Sequence, residues 1–259
     1  MEQVYKRADA VLGKTLDHCD NKDTVLMVVS DHGFNTFRYG IDLNCWLREN
    51  GYLKLKDDAS GKQYLEDVDW SQTQAFALGL TGIYLNIKGR ESKGIVDGGA
   101  EADRLREEIA EKLGALIDPI RQDSAIKQVY NALKVYKGPY KKEAPDLIVG
   151  YNLGYRASWD TAVGRVTDTI FHDNTKAWSG DHCIDQSIVP GVLFCNRKID
   201  APAPRLMDIG PTVLDMFGVD VPANMDGKAI KVADKDKEDK SSDTDDHVQE
   251  QLRGLGYIE

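Results

Sequence analysis

Two short segments hold the side chains best suited to metal chemistry. The first is Asp31-His32-Gly33, which follows directly on the apolar run TVLMVVS at residues 24–30. A carboxylate beside an imidazole offers two ligands of the types that bind Zn²⁺ or Mn²⁺, and the glycine lets the chain turn sharply. In open α/β sheets such strand ends are where ligands gather. The second segment is Trp178-Ser-Gly-Asp-His182, just ahead of the apolar residues 189–195. Its His182 reads either as a metal ligand or as a loop histidine, and Asp181 reads equally as a turn former. A third pattern, Asp168-x-x-x-His172, has the spacing that places two ligands on one helical face, although Asp173 and Asn174 argue for a turn. Asp17-His18 repeats the dipeptide at a helix end and reads as surface. Arg156, Lys176 and Lys141 are cations able to meet phosphate. The chain has no GxxxxGK[ST], GxGxxG or GxSxG motif, which speaks against a P-loop, a dinucleotide fold and a serine hydrolase.

The elements that position these residues follow from periodicity. Val4, Ala8, Val11, Leu12 and Leu16 recur at helical spacing over residues 2–19. TVLMVVS is apolar on both faces, which predicts a central parallel strand covered by helices. Leu43–Asn50 reads as a helix with Asp42 as N-cap and Gly51 beyond its end. Strands are expected near 75–78, 82–87, 126–136, 146–150 and 189–195. Amphipathic helices are expected at 100–116, where Leu105, Ile109, Leu113 and Leu116 share a face, and at 208–217. This alternation predicts an α/β class. Residues 231–247 hold four Lys and seven acids and read as a solvated acidic tail. Residues 248–259, with Leu252, Leu255 and Ile258, are expected to dock on the body as a short terminal segment.

Composition narrows the function classes. The 259 residues are 41% hydrophobic and 29% charged, a globular balance, with a net charge of −10. That charge argues against binding a nucleic-acid polymer, which needs many cations to displace counterions. No apolar run approaches the ~20 residues of a membrane span, and no leader opens the chain; it reads as soluble, with the compartment open and cytoplasmic favoured only by that absence of a leader. Cys19, Cys45, Cys183 and Cys195 form no CxxC pair and read as free thiols.

Together these stretches resemble the alkaline phosphatase superfamily, nearest its type I phosphodiesterase/nucleotide pyrophosphatase branch and the predicted phosphohydrolase/phosphomutase proteins within it. VLMVVSDHGF at 25–34 is similar to the branch's metal-ligand strand. Leu43–Tyr52, Gly82–Asn86, Ala144–Val149, Trp178–His182, Asp208–Val213, Asn224–Gly227 and Leu255–Tyr257 agree in the expected order. The resemblance implies a three-layer α/β sandwich with a mostly parallel central sheet over residues 1–230. It also implies a smaller inserted α+β cap at about 40–175, where substrate selectivity resides. Asp31 and His32 would bind one divalent metal and His182 a second, with zinc the commonest occupant and manganese an alternative. Tyr140, Tyr155 and Arg156 are the candidate pocket-lining residues for a small phosphorylated substrate.

The chain departs from the pattern in one respect. The nucleophilic Thr or Ser, a further Asp ligand and an Asp-x-x-x-His pair that such proteins carry upstream have no counterpart here. Two metals want six or more protein ligands, and only three are assigned, so weak metal binding is expected. The expected activity is therefore phosphoric ester hydrolysis by a two-metal, phospho-enzyme route. The nucleophile would come from a missing N-terminal half, in the natural protein or as a separate chain. Competing expectations are a phosphomutase, a catalytically inactive scaffold module, and a metal-free sugar-phosphate or nucleotide binder.

Overall fold

A computed structural model describes residues 2–19 and 23–233. The acidic tail beyond residue 233 and the terminal segment 248–259 lie outside the described residues. Two compact units emerge. One joins the chain ends, Met1–Asp31 with Gly191–Glu259, and the other is the continuous stretch His32–Pro190.

The unit of the chain ends begins with the helix Glu2–His18. Val4 and Val11, which recur at helical spacing, are 68% and 65% exposed. The run at 24–30 yields only the short strand Met27–Val29, which pairs antiparallel with Leu193–Cys195, Val28 lying opposite Phe194. The expectation of a central parallel strand is thus corrected. Apolarity on both faces reports burial, not the direction of the neighbour, and here Val29 is itself 38% exposed. The strand expected over 189–195 is shortened to its last three residues, because Pro190 has no N–H to give a ladder. The helix Ile209–Met216 follows a tight turn at Leu206–Asp208. There the Asp208 carboxylate accepts from Arg205 and from the Lys228 N–H, which hold its carboxyl well below the usual range.

The unit His32–Pro190 contains two four-stranded sheets. The first runs Ala75–Leu78, Gly82–Leu85, Leu147–Tyr151, Ile126–Asn131, every pair antiparallel. In the second, Asn35–Ile41 lies between Gly154–Ala157, parallel to it, and Phe171–Asp173, antiparallel to it. Gly180–Asp181 pairs with the start of the same central strand. A mostly parallel central sheet is therefore not found among the described residues; the class is mixed α/β with largely antiparallel sheets. Short connections account for this, since a hairpin such as 78–82 can join only antiparallel neighbours. The strand expected over 126–136 stops at Asn131, whose side chain accepts from the Leu133 N–H and caps the short helix Ala132–Val135.

Helix Leu43–Glu49 forms as expected, with Asp42 Oδ1 accepting from the Cys45 N–H at 2.8 Å. Leu43 and Leu47 pack with Ile41, Leu85, Ile109 and Leu147 in one fully buried core. Helix Ala100–Gly114 buries Leu105, Ile109 and Leu113 on the face its spacing predicts. At the core's edge Asp146 accepts from Arg106 Nε at 2.9 Å and from the Leu85 N–H at 2.8 Å, and it also pairs with Arg90. A carboxylate so buried is stable only when paired in this way. All four cysteines are free thiols.

Candidate metal centre and its buried support

His32 opens the unit His32–Pro190 and His182 lies near its end, yet their rings stack with centroids 4.0 Å apart and planes 13° from parallel. The chain turn after His32 is held by Gly33, whose N–H donates to the Val189 carbonyl at 3.0 Å. The glycine is needed for closeness: a Cβ there would stand 2.7 Å from the Pro190 carbonyl oxygen. His32 Nδ1 lies 2.8 Å from the Gly33 carbonyl, a contact that orients the ring. This outer contact is the kind that fixes the tautomer of metal-binding histidines.

His182 is placed by its neighbour. Asp181 Oδ1 accepts from the backbone N–H groups of His182 (2.8 Å) and Cys183 (2.9 Å). Asp181 Oδ2 accepts from Arg156 Nη1 at 2.6 Å and from Trp178 Nε1 at 3.2 Å. Burial alone would raise the Asp181 carboxyl. The Cys183 N–H and the Arg156 guanidinium outweigh it and bring it to about 2. Cys183 moves the other way: burial, then the adjacent Asp181 carboxylate, push its thiol to about 11.

Ligand atoms of Asp181, His182 and Cys183 lie within 4.8 Å of one another, close enough for one ion. The donor set fits a divalent metal of the zinc type, but unequally. Both imidazoles are exposed, and imidazole nitrogen is a ligand type that zinc takes. Asp181 has both oxygens engaged, and Cys183 would first have to lose its proton.

Arg156 was readable in sequence only as a cation able to meet substrate. In the structure it is 1% exposed, with its guanidinium carbon 4.5 Å from the Phe37 ring centroid and 4.1 Å from that of Trp159. Tyr155 is also buried, its hydroxyl donating to Asp118 at 3.1 Å, while Tyr140 stands 75% exposed on the turn Pro139–Lys142. Asp168 and His172 share no helical face. Asp168 reaches toward Arg48 at 3.7 Å, and His172, on a strand, meets the Thr167 hydroxyl at 3.1 Å. Asp31 is the last residue of the other unit and is exposed. What sequence reasoning missed is the support of the site, Asp181 and its pairing with Arg156. The only local signal was the Asp immediately before His182.

A model of the type I phosphodiesterase / nucleotide pyrophosphatase family matches residues 1–178. The chain belongs to this family. The matched span includes Asp31, His32, Tyr155 and Arg156 and stops just short of Asp181-His182. A search of curated proteins gives no match. Membership suggests a phosphoric ester hydrolase, broadly a phosphodiesterase or pyrophosphatase, and such enzymes are typically metal-dependent. No helix among the described residues is long and apolar enough to cross a membrane.

Proposed function

We propose that this chain carries the metal-binding part of a phosphoric ester hydrolase, acting on a small diester or pyrophosphate. The observation that carries the reading is the 4.0 Å stacking of His32 on His182, which brings together two of the residues assigned as ligands from sequence. His32 offers its imidazole, with the ring oriented by the Gly33 carbonyl. His182 offers its ring from a loop fixed by Asp181. A bound pair of Zn²⁺ or Mn²⁺ ions would neutralise charge growing on the phosphoryl oxygens. Arg156 works from behind: it keeps Asp181 ionised, and Asp181 keeps the His182 loop in one conformation. No Ser or Thr of this chain is assigned as nucleophile, and the reading takes that residue from a further segment.

The test is hydrolysis of bis-p-nitrophenyl phosphate with Zn²⁺ or Mn²⁺ present, in protein that includes that segment. His32→Ala and His182→Ala should each lower kcat/KM by about 100-fold, the scale seen when a ligand or its support is lost. Unchanged turnover in either variant contradicts the reading. A metal-binding module without turnover is the second reading, favoured by the full engagement of Asp181, which leaves three assigned ligands for two ions. It predicts metal uptake with no hydrolysis.

A further inference from the structure

Residues 132–146 connect the paired strands Ile126–Asn131 and Leu147–Tyr151, where a hairpin needs only about 2–5 residues. Long connections of this kind are where binding segments are found. This one is pinched at its base: the Ala132 N–H donates to the Asp146 carbonyl at 3.1 Å, and both residues are buried. Between them the Tyr136 N–H closes on the Ala132 carbonyl at 2.8 Å and the Glu143 N–H on the Tyr140 carbonyl at 2.9 Å. Every residue from 133 to 143 is exposed.

The composition of this excursion runs against the rest of the chain. It holds four lysines, Lys134, Lys137, Lys141 and Lys142, and a single acid, Glu143, in a protein of net charge −10. Among the described residues none of the four lysines pairs with a carboxylate. Solvation accounts for lysines on a surface, but not for the side chains set between them. Tyr140 is 75% exposed, Val135 49% and Tyr136 45%. Tyr140 and Lys141, singled out in the sequence for substrate and for phosphate, stand side by side on the turn Pro139–Lys142, outside any cavity with the histidines. Lysines reach anionic headgroups, and tyrosine, apolar in body and polar at its tip, favours the depth of those headgroups.

We propose that residues 133–143 dock the protein on an anionic lipid surface. The lysines meet the headgroups, and Tyr136 and Tyr140 enter the interface beside them. Charge complementarity selects an anionic partner, and the exposed tyrosines select one with an apolar layer over a bare polyanion. The acidic remainder of the chain is repelled by the same surface, which turns this segment toward it. Charges farther off than a Debye length of about 8 Å are largely screened. None of the proposed metal ligands lies in the segment, so docking and metal binding are separate properties.

Cosedimentation of the 259-residue chain with large vesicles, EDTA present throughout, tests it. Binding is expected to phosphatidylcholine vesicles holding about 30% phosphatidylserine, and not to phosphatidylcholine alone. It should be lost as salt rises from about 0.1 M to 1 M, where the Debye length falls from about 10 Å to 3 Å. The double variant Lys137→Glu/Lys141→Glu should weaken partitioning tenfold or more, and Tyr136→Ser/Tyr140→Ser severalfold. All four side chains are exposed, so these variants do not threaten folding. The proposal is overturned if the chain stays in solution with the anionic vesicles, if it binds both vesicle types equally, or if the lysine variant binds as well as wild type. Binding to poly-glutamate without binding to vesicles would mark an acidic protein as the partner and equally overturn it.

Discussion

Arg156 Nη1 donates to Asp181 Oδ2 at 2.6 Å, and both side chains are almost completely buried. The pair links strand Gly154–Ala157 to the loop that carries His182. Burial makes it consequential, since either partner left alone would be an uncompensated interior charge. Asp181→Ala should cost about 3–5 kcal/mol in urea unfolding, and Arg156→Met a similar amount. A double variant replacing both should lose less than the two single losses combined. Additive losses would show that the pair is not coupled.

The same contacts set a pH dependence. The folded Asp181 carboxyl titrates at about 2, below its ordinary value of 3.8. Its folded value is depressed, so its contribution to stability is fully present above about pH 4 and is lost as pH falls toward 2. Carboxyl ¹³C chemical shifts should show this one aspartate titrating later than exposed ones. Arg156→Met should move its midpoint upward, because burial would then be less opposed.

Asp146 is predicted to matter for folding rather than chemistry. Its carboxylate neutralises Arg106 and Arg90 and accepts the Leu85 N–H, with 1% of its side chain exposed. Asp146→Ala should destabilise the protein by about 3–5 kcal/mol, read as a lowered urea midpoint. In protein refolded at low urea, zinc affinity should be unchanged.

Gly33→Ala addresses the approach of the His32 turn to Pro190. The added methyl would sit 2.7 Å from the Pro190 carbonyl oxygen, a distance that forces a shift of backbone. Overpacking of this kind costs about 1–3 kcal/mol. Because His32 is the adjoining residue, zinc affinity measured by competition with a chromogenic chelator should fall tenfold or more.

Legibility in the sequence followed the range of the signals. Helix Leu43–Glu49 was readable because its cap, Asp42, and its end are local, and helix Ala100–Gly114 because Leu105, Ile109 and Leu113 repeat within it. Strand direction was not readable. Met27–Val29 and Gly82–Leu85 are apolar either way, and only their partners decide antiparallel pairing. His32 and His182 were singled out by residue type and resemblance, and the stacking that joins them is a product of the tertiary fold. Arg156 and Asp181 lie 25 residues apart, and charged residues in loops ordinarily read as solvated. Nothing local in the sequence indicated that these two would be buried against each other.

The central claim is that His32 and His182 belong to one metal centre, and zinc content at equilibrium tests it most directly. The chain would be dialysed against micromolar free Zn²⁺ and its bound metal measured by elemental analysis. The account predicts that wild type and His18→Ala, altered on the exposed helix Glu2–His18, retain the same zinc, while His32→Ala and His182→Ala each lose it. Zinc retained at the wild-type level in His182→Ala, or lost equally in His18→Ala, would contradict the account.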